Sequence, residues 1–299
     1  MKMHIDRREF IVGAASAVVA SGCAKIGERP VVRFGMVTDL HYATKPSGID
    51  DPGIRCFDDA PAKLRDCIKV MNAHKVDFLI ELGDFKDMVE TKEGTLKCLD
   101  DIEKVYATFN GRRYHVLGNH ETDCITKAEF LSRISNYGQD RAQAYYSFKV
   151  GNVTGIVLDA NYTSKMEEYE PGKFDFRDTN VPPDQIKWLQ GVLDSALGPV
   201  VVFAHQLMDP VCDDIMRINN AEELRAMFEK SGKVKAVFAG HHHIGLAPNV
   251  HNGILYYTLR AMAQDAYPEN NSFAEVELYD SGRVVINGFV KAASFDKQM

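Results

Sequence analysis

From residue 31 onward the chain alternates short apolar runs with longer amphipathic stretches. Val31-Val32-Arg33-Phe34-Gly35-Met36-Val37 is a β-rich run, and a second spans 76–82. Between them Leu64, Cys67, Ile68 and Met71 fall at i, i+3, i+4 and i+7. That spacing predicts a helix with one buried face. A further helical stretch, about 95–109, leads to a third strand at 113–117. Strand, helix, strand, helix, strand in this order predicts parallel βαβ units. Residues 43–59, punctuated by Gly and Pro, read as a polar loop.

The middle of the chain changes character. Residues 145–150 and 153–158 read as two strands joined by Gly151-Asn152, a hairpin signal. Residues 161–183 form a long polar and aromatic loop carrying Phe174, Phe176 and Arg177, closed by Pro182-Pro183. Loops of that length in compact domains are uncommon and often functional. A helix from about residue 184 carries Ile186, Leu189 and Leu193 on one face. A buried strand at 200–204, a helix at 222–230 and a strand from 234 restore the βα alternation. The tail is antiparallel in flavour, with turns at Asn252-Gly253 and Asp280-Ser281-Gly282. The pattern predicts one mixed α/β domain over 31–299, with two sheets packed face to face between helices.

The first thirty residues read differently. Arg7-Arg8-Glu9-Phe10 precedes a run of small apolar residues that is too short to span a bilayer. The paired arginines resemble a twin-arginine export signal. Ala20-Ser21-Gly22-Cys23 resembles a bacterial lipoprotein cleavage box, in which Cys23 becomes the lipidated first residue. The expectation is an export signal over 1–22, a linker over 23–30, and a periplasmic or envelope-anchored location. Membrane contact through a lipid anchor follows only if Cys23 is lipidated. Cys56, Cys67, Cys98, Cys124 and Cys212 contain no C-x-x-C pair. One bridge is compatible with them, and most read as small core thiols.

Composition adds two limits. An apolar fraction of 45% and a charged fraction of 26% exclude a disordered chain and leave an ordinary globular one. A net charge of −7 argues against a nucleic acid polymer as partner. An anionic substrate then needs a local positive centre, such as a metal ion.

Five apolar strands end, in order, in Asp39/His41, Asp84, Asn119/His120, His205 and His241/His243. In parallel sheets ligands gather at the carboxyl ends of the strands. In an extended segment alternate side chains share a face, so His241 and His243 are expected to grip one site while His242 points away. These O and N donors suit borderline divalent metals (Mn²⁺, Fe²⁺ or Zn²⁺) better than Ca²⁺. They are too many for one tetrahedral zinc, and two ions bridged by a carboxylate use them fully.

The ordered motifs D-x-H, G-D, G-N-H-E, a lone His after a strand, and G-H-x-H resemble the calcineurin-like metallophosphoesterase family, over about 31–260. The resemblance implies a four-layer α/β/β/α sandwich, two mixed sheets flanked by helices, that hydrolyses a phosphoester or phosphoanhydride. It implies one metal ion on Asp39, His41 and His243, a second on Asn119, His205 and His241, and Asp84 bridging both. His120 acts on the leaving group or phosphoryl oxygen, with Glu121 as the carboxylate that orients it, and His242 lies outside the metal shell. Within the family, Ala144-Tyr145-Tyr146-Ser147-Phe148, Leu158-Asp159-Ala160 and Asp209-Pro210-Val211-Cys212 resemble the manganese-dependent ADP-ribose/CDP-alcohol diphosphatase group. That implies a small, nucleotide-derived phosphorylated substrate.

A cyclic-nucleotide phosphodiesterase and a phosphomonoesterase are the alternatives within the family. A purple-acid-type enzyme expects a tyrosine ligand near Asp84, where this chain has Phe85-Lys86-Asp87. Outside enzymes, the alternative is a catalytically silent metal-binding module. Arg55, Arg177 and Arg260, with Arg217, are candidates to hold a second phosphate, because guanidinium binds phosphate through two parallel donors. Tyr42, Tyr162 and Phe174 are candidates to stack on a base.

Overall fold

The computed structural model describes residues 28–50 and 53–299, so the expected export signal and Cys23 lie outside the described residues. The chain begins with β1 (Val32–Val37), a small hairpin of β2 (Gly48–Asp50) and β3 (Gly53–Arg55), α1 (Ala60–His74), β4 (Phe78–Glu81), α2 (Lys92–Tyr106) and β5 (Arg112–His115). Next come α3 (Lys127–Leu131), β6 (Tyr146–Val150), β7 (Val153–Val157), α4 (Pro183–Ser195) and β8 (Val200–Phe203). The last third holds α5 (Ala221–Ser231), β9 (Val234–Ala239), β10 (Asn249–His251), β11 (Ile254–Thr258), β12 (Phe273–Leu278), β13 (Arg283–Phe289) and β14 (Phe295–Gln298). No described helix is long and apolar enough to cross a membrane.

Two six-stranded sheets result, with strand orders β14-β13-β12-β1-β4-β5 and β10-β11-β9-β8-β7-β6. The centre of each is parallel (β1–β4–β5 and β7–β8–β9–β11), and the flanking pairs are antiparallel. Side-chain alternation sorts each strand between two layers. Phe34, Met36, Phe78 and Ile80 face the other sheet, while Val37 and Leu79 pack under the α1/α2 layer. The second sheet does the same: Phe203 and Phe238 meet the first sheet, while Val202 and Val237 pack with the α4/α5 layer. Phe34 stacks on Phe78 at 4.6 Å between centroids and meets Phe203 and Phe238 edge-on at 5.6 Å. Each fully buried phenyl ring stabilises the seam by roughly 1.5–3 kcal/mol. The result is the expected four-layer α/β/β/α sandwich.

Three elements escaped the sequence pattern. The β2–β3 hairpin lies in the stretch read as a polar loop. The strand β14 has one buried residue, Phe295, followed by three exposed ones, so it carries no alternation to read. The helix α3 is only five residues long, although its capping box, Thr126 with Glu129, is a sequence-level start signal. The five described cysteines are free thiols, four of them buried.

The loop over 161–183 is long, as expected, but it is tied down. Tyr169 donates its hydroxyl to the carbonyls of Asp175 and Asp178, at 2.8 and 2.9 Å. This bracing carries Phe174 to within 5.5 Å of the His120 ring and Phe176 to within 5.9 Å of the His241 ring.

Candidate metal centre

The carboxyl ends of β1, β4, β5, β8 and β9 converge at the seam between the sheets. Close backbone approach makes this possible. A side chain at Gly240 would collide with Thr38 and Asp39, and one at Gly118 would collide with Asp84. Strands of both sheets can therefore present donors to one point.

The donors sit in a strained backbone. Asp39, His41, Asp84 and His241 have φ of 51°, 46°, 56° and 67°, in the left-handed region that L-residues avoid at about 1 kcal/mol or more each. Local hydrogen bonds hold them there: Asp39 N–H donates to Gly83 O at 3.0 Å, and His41 N–H to Asp84 O at 2.9 Å. The left-handed turn at His241 also ends the extended geometry on which the alternation of the three histidines depended. His242 consequently lines the same pocket as His241 and His243 rather than pointing away, although it joins no donor cluster.

Two donor clusters share one carboxylate. Asp39, His41, Asp84 and His243 form the first, and Asp84, His205 and His241 the second. His41 Nε2 lies 3.1 Å from His243 Nε2 and 3.5 Å from Asp84 Oδ2. His205 Nε2 lies 3.2 Å from the same Asp84 Oδ2 and 3.2 Å from His241 Nδ1. Asp84 Oδ2 thus stands between the clusters, while Oδ1 is occupied by the His120 N–H at 2.8 Å. Asp39 Oδ1 and Asn119 Oδ1 are buried without a hydrogen-bond partner. A buried unpaired acceptor is costly unless a cation or donor meets it, so the residues fit a pair of divalent ions.

Outer contacts fix the ring orientations. His205 Nδ1 lies 2.9 Å from Leu82 O, so it carries the proton and leaves the Nε2 lone pair inward. His41 Nδ1 faces Asp87 Oδ2 at 3.3 Å, and His243 Nδ1 lies 2.9 Å from the Gln264 amide nitrogen.

A family model for calcineurin-like phosphoesterases matches residues 32–245. The chain belongs to this family. It is 28% identical to the manganese-dependent ADP-ribose/CDP-alcohol diphosphatase of Oryza sativa subsp. japonica, over 84% of this chain and 89% of that protein. It is 26% identical to the Arabidopsis thaliana protein of the same name, over 85% of this chain and 93% of that one. The fold is similar to that of a dimetal phosphatase from Danio rerio, with a TM-score of 0.78 at 22% identity, covering 89% of this chain and 98% of that one. The protein is accordingly a metallophosphoesterase with a binuclear metal site.

In this phosphoesterase the pocket of about 350 Å³ over the donors is lined by Arg55, Asn119, His120, Phe176, Met216 and Ile244, among others. His120 Nδ1 lies 3.7 Å from Asp87 Oδ1 and 3.8 Å from Asp123 Oδ2, which leaves Nε2 for the pocket. Burial opposes its protonation. The charge of Asp84, then the contacts with Asp123 and Asp87, outweigh burial and raise its pKa to about 10. Asp123 is itself held by the buried ammonium of Lys86.

The expected pairing of Glu121 with His120 is not what the geometry gives. Both Glu121 carboxylate oxygens accept backbone N–H groups, from Gly118 and Asp84 on Oε2 and from Phe85 on Oε1. Asp87 and Asp123 take the place beside His120 instead. Their signal in the sequence was faint: a carboxylate three residues after Asp84, and another three after His120.

Of the arginine candidates only Arg55 reaches the pocket, with its NH1 3.4 Å from Asp87 Oδ2 and from His41 Nδ1. Arg177 makes a two-pronged pair with Asp175 on the surface, its side chain 61% exposed. Arg260 pairs with Asp265 at 3.2 Å, and Arg217 braces its own loop through Asp214, Pro210 O and Cys212 O. Among the base-stacking candidates Phe174 is beside His120, whereas Tyr42 packs with the α1/α2 core and Tyr162 lies over Lys127 in a separate cleft. Phe176, Met216 and Ile244, which line the pocket, had no strand-end signature.

Proposed function

We propose that this metallophosphoesterase is a manganese-dependent diphosphatase, cleaving the phosphoanhydride of a nucleoside diphosphate linked to a sugar or an alcohol. The observation that carries the reading is the meeting, in one pocket, of the paired donor clusters, His120 and the Arg55 guanidinium. Two divalent ions, when bound there, would supply an activated water and offset phosphoryl charge. Asp39, His41 and His243 would hold one and Asn119, His205 and His241 the other, with the Asp84 carboxylate shared between the two donor clusters. Arg55 binds the phosphate that is not attacked and orients the chain of two phosphates in line. His120, its Nδ1 turned to Asp87 and Asp123, is placed to give a proton from Nε2 to the leaving phosphate oxygen.

The names of the rice and Arabidopsis relatives support the substrate class. The complete donor set, with His120 beside it, favours an enzyme over a silent metal-binding module. The test is a panel of ADP-ribose, CDP-glycerol, a cyclic nucleotide and a phosphomonoester, assayed with Mn²⁺. Preference for the first two is expected, and preference for either of the others assigns the site to that chemistry instead.

We also propose export through the Arg7-Arg8 signal, with anchoring at the envelope through Cys23. Replacing Arg7-Arg8 by Lys-Lys is expected to trap the precursor in the cytoplasm, and unimpaired export contradicts the proposal.

A further inference from the structure

Several large apolar side chains that remain exposed lie on the segments that line the metal pocket, while others, such as Leu197 and Val290, lie outside its lining. Val211 is 71% exposed, Ile215 and Ile244 are each 48% exposed, and Phe176 is 37% exposed. They belong to three segments that build the pocket wall through Phe176, Met216 and Ile244. On the hairpin that delivers Arg55, Ile49 and Ile54 are direct cross-strand partners and are both exposed. Partners in register share one face of a hairpin, so the two isoleucines form a pair.

The loop that carries Val211 and Ile215 is braced from within. Ile218 N–H donates to Leu207 O at 2.9 Å, closing its base, and Asp213 caps Ile215 N–H at 3.2 Å. Arg217 holds the carbonyls of Pro210 and Cys212. A fixed loop that presents apolar tips to water is the kind of surface that meets another apolar phase.

What that phase is follows from the continuity of patch and pocket. Phe176 and Ile244 belong to both, so a protein partner or a second copy seated on the patch would cap the active site. A bilayer that itself carries the substrate would not.

We propose that the enzyme works at a lipid surface, on a nucleoside diphosphate whose alcohol is a diacylated glycerol. The proposal rests on the diphosphatase reading and narrows its substrate class. Val211, Ile215 and the Ile49/Ile54 pair rest among the lipid headgroups, and Phe176, Met216 and Ile244 line the path of the lipid-bearing phosphate. In the reaction the oxygen of water bonds to one phosphorus and the bridging P–O bond breaks. The bridging oxygen leaves with the other phosphate, and the proton lost by water is released to solvent. The products are a nucleoside monophosphate and a lipid phosphate. With a net charge of −7 the protein gains no general attraction to an anionic membrane, so surface activity is expected to depend weakly on salt.

The test uses the full chain carrying Cys23→Ser, which removes any lipid anchor, loaded with Mn²⁺. CDP-dioleoylglycerol in phosphatidylcholine vesicles is compared with soluble CDP-glycerol. The expected result is a kcat/KM about tenfold or more higher for the vesicle substrate. Adding Val211→Ser with Ile215→Ser is expected to abolish that excess and to leave CDP-glycerol turnover unchanged. If CDP-glycerol is cleaved but the vesicle substrate is no better, the lipid proposal falls and the diphosphatase reading stands. If neither is cleaved, both fall. A wild-type dimer that the double substitution converts to monomer identifies the patch as an interface between copies and overturns the proposal.

Discussion

Glu121 fixes Asp84 through the backbone: its Oε2 accepts the Asp84 N–H at 2.9 Å and the Gly118 N–H at 2.6 Å, while Oε1 accepts the Phe85 N–H at 2.9 Å. One buried carboxylate therefore joins the turn after β4 to the turn after β5 and holds Asp84 in its left-handed conformation. In Glu121→Gln an amide NH₂ must face one or more of these N–H donors. We expect a loss of metal occupancy and a fall in kcat/KM of about 10–100-fold, the usual effect of disturbing a group behind a ligand. Metal per chain, measured by atomic emission alongside the pH–rate profile, checks it. Full occupancy with only a displaced limb of the profile would return Glu121 to the role of orienting His120.

Asp84 is the residue shared by both clusters, with Oδ2 3.5 Å from His41 Nε2 and 3.2 Å from His205 Nε2. Asp84→Asn keeps the shape and removes the charge that two cations share. Metal content is expected to fall below two ions per chain, with activity down by several orders of magnitude at ordinary Mn²⁺ concentrations. Two tightly held ions in the purified variant would show that Asp84 does not bridge.

His120 sits beside the donor clusters with its Nδ1 turned to Asp87 and Asp123. His120→Ala is expected to keep both metal ions and to lose about 10²–10⁴-fold in turnover. The loss should shrink when the leaving group is 4-nitrophenolate, which needs no proton. An equal loss for good and poor leaving groups would move His120 from proton donation to binding.

Much of this was legible in the sequence because its physics is local. A short apolar run followed by a polar donor at its end gives both the strand and the place of its donor, and six of the seven expected metal ligands, all but Asn119, fall in the two donor clusters that share Asp84. The parallel βαβ order was readable from helix periodicity, as in Leu64, Cys67, Ile68 and Met71, all buried. What escaped depends on backbone conformation or on distant partners. The positive φ of His241 ended the strand alternation, so His242 lines the same pocket while remaining outside the donor clusters, as expected. Glu121 was next to His120 in sequence, yet its carboxylate was claimed by three N–H groups of two turns. Arg55 reaches the pocket because a two-strand hairpin, silent in the pattern, bridges to Gln264.

Beneath the site, His115 lies between two carboxylates, with Nε2 3.1 Å from Glu103 Oε2 and Nδ1 3.4 Å from Glu81 Oε2. Burial disfavours its charge, but Glu103 and then Glu81 outweigh burial and raise its pKa to about 9. A pKa raised on folding contributes stability that is full below the unfolded value, near 6.5, and is lost as pH rises through the folded one. Burial raises the Glu81 pKa to about 8, against the pull of His115. Its contribution, present below its unfolded value near 4.5, is likewise lost as pH climbs toward 8. Both groups therefore weaken the fold in the same direction between about pH 5 and 9. His115 alone accounts for on the order of 3 kcal/mol across that range, which corresponds to a fall of several degrees in Tm. Thermal melts of the wild type should decline steadily from pH 6 to pH 9.5. In His115→Gln the Tm at pH 6 should be lower and the decline shallower; parallel curves for the two proteins would remove His115 as the cause.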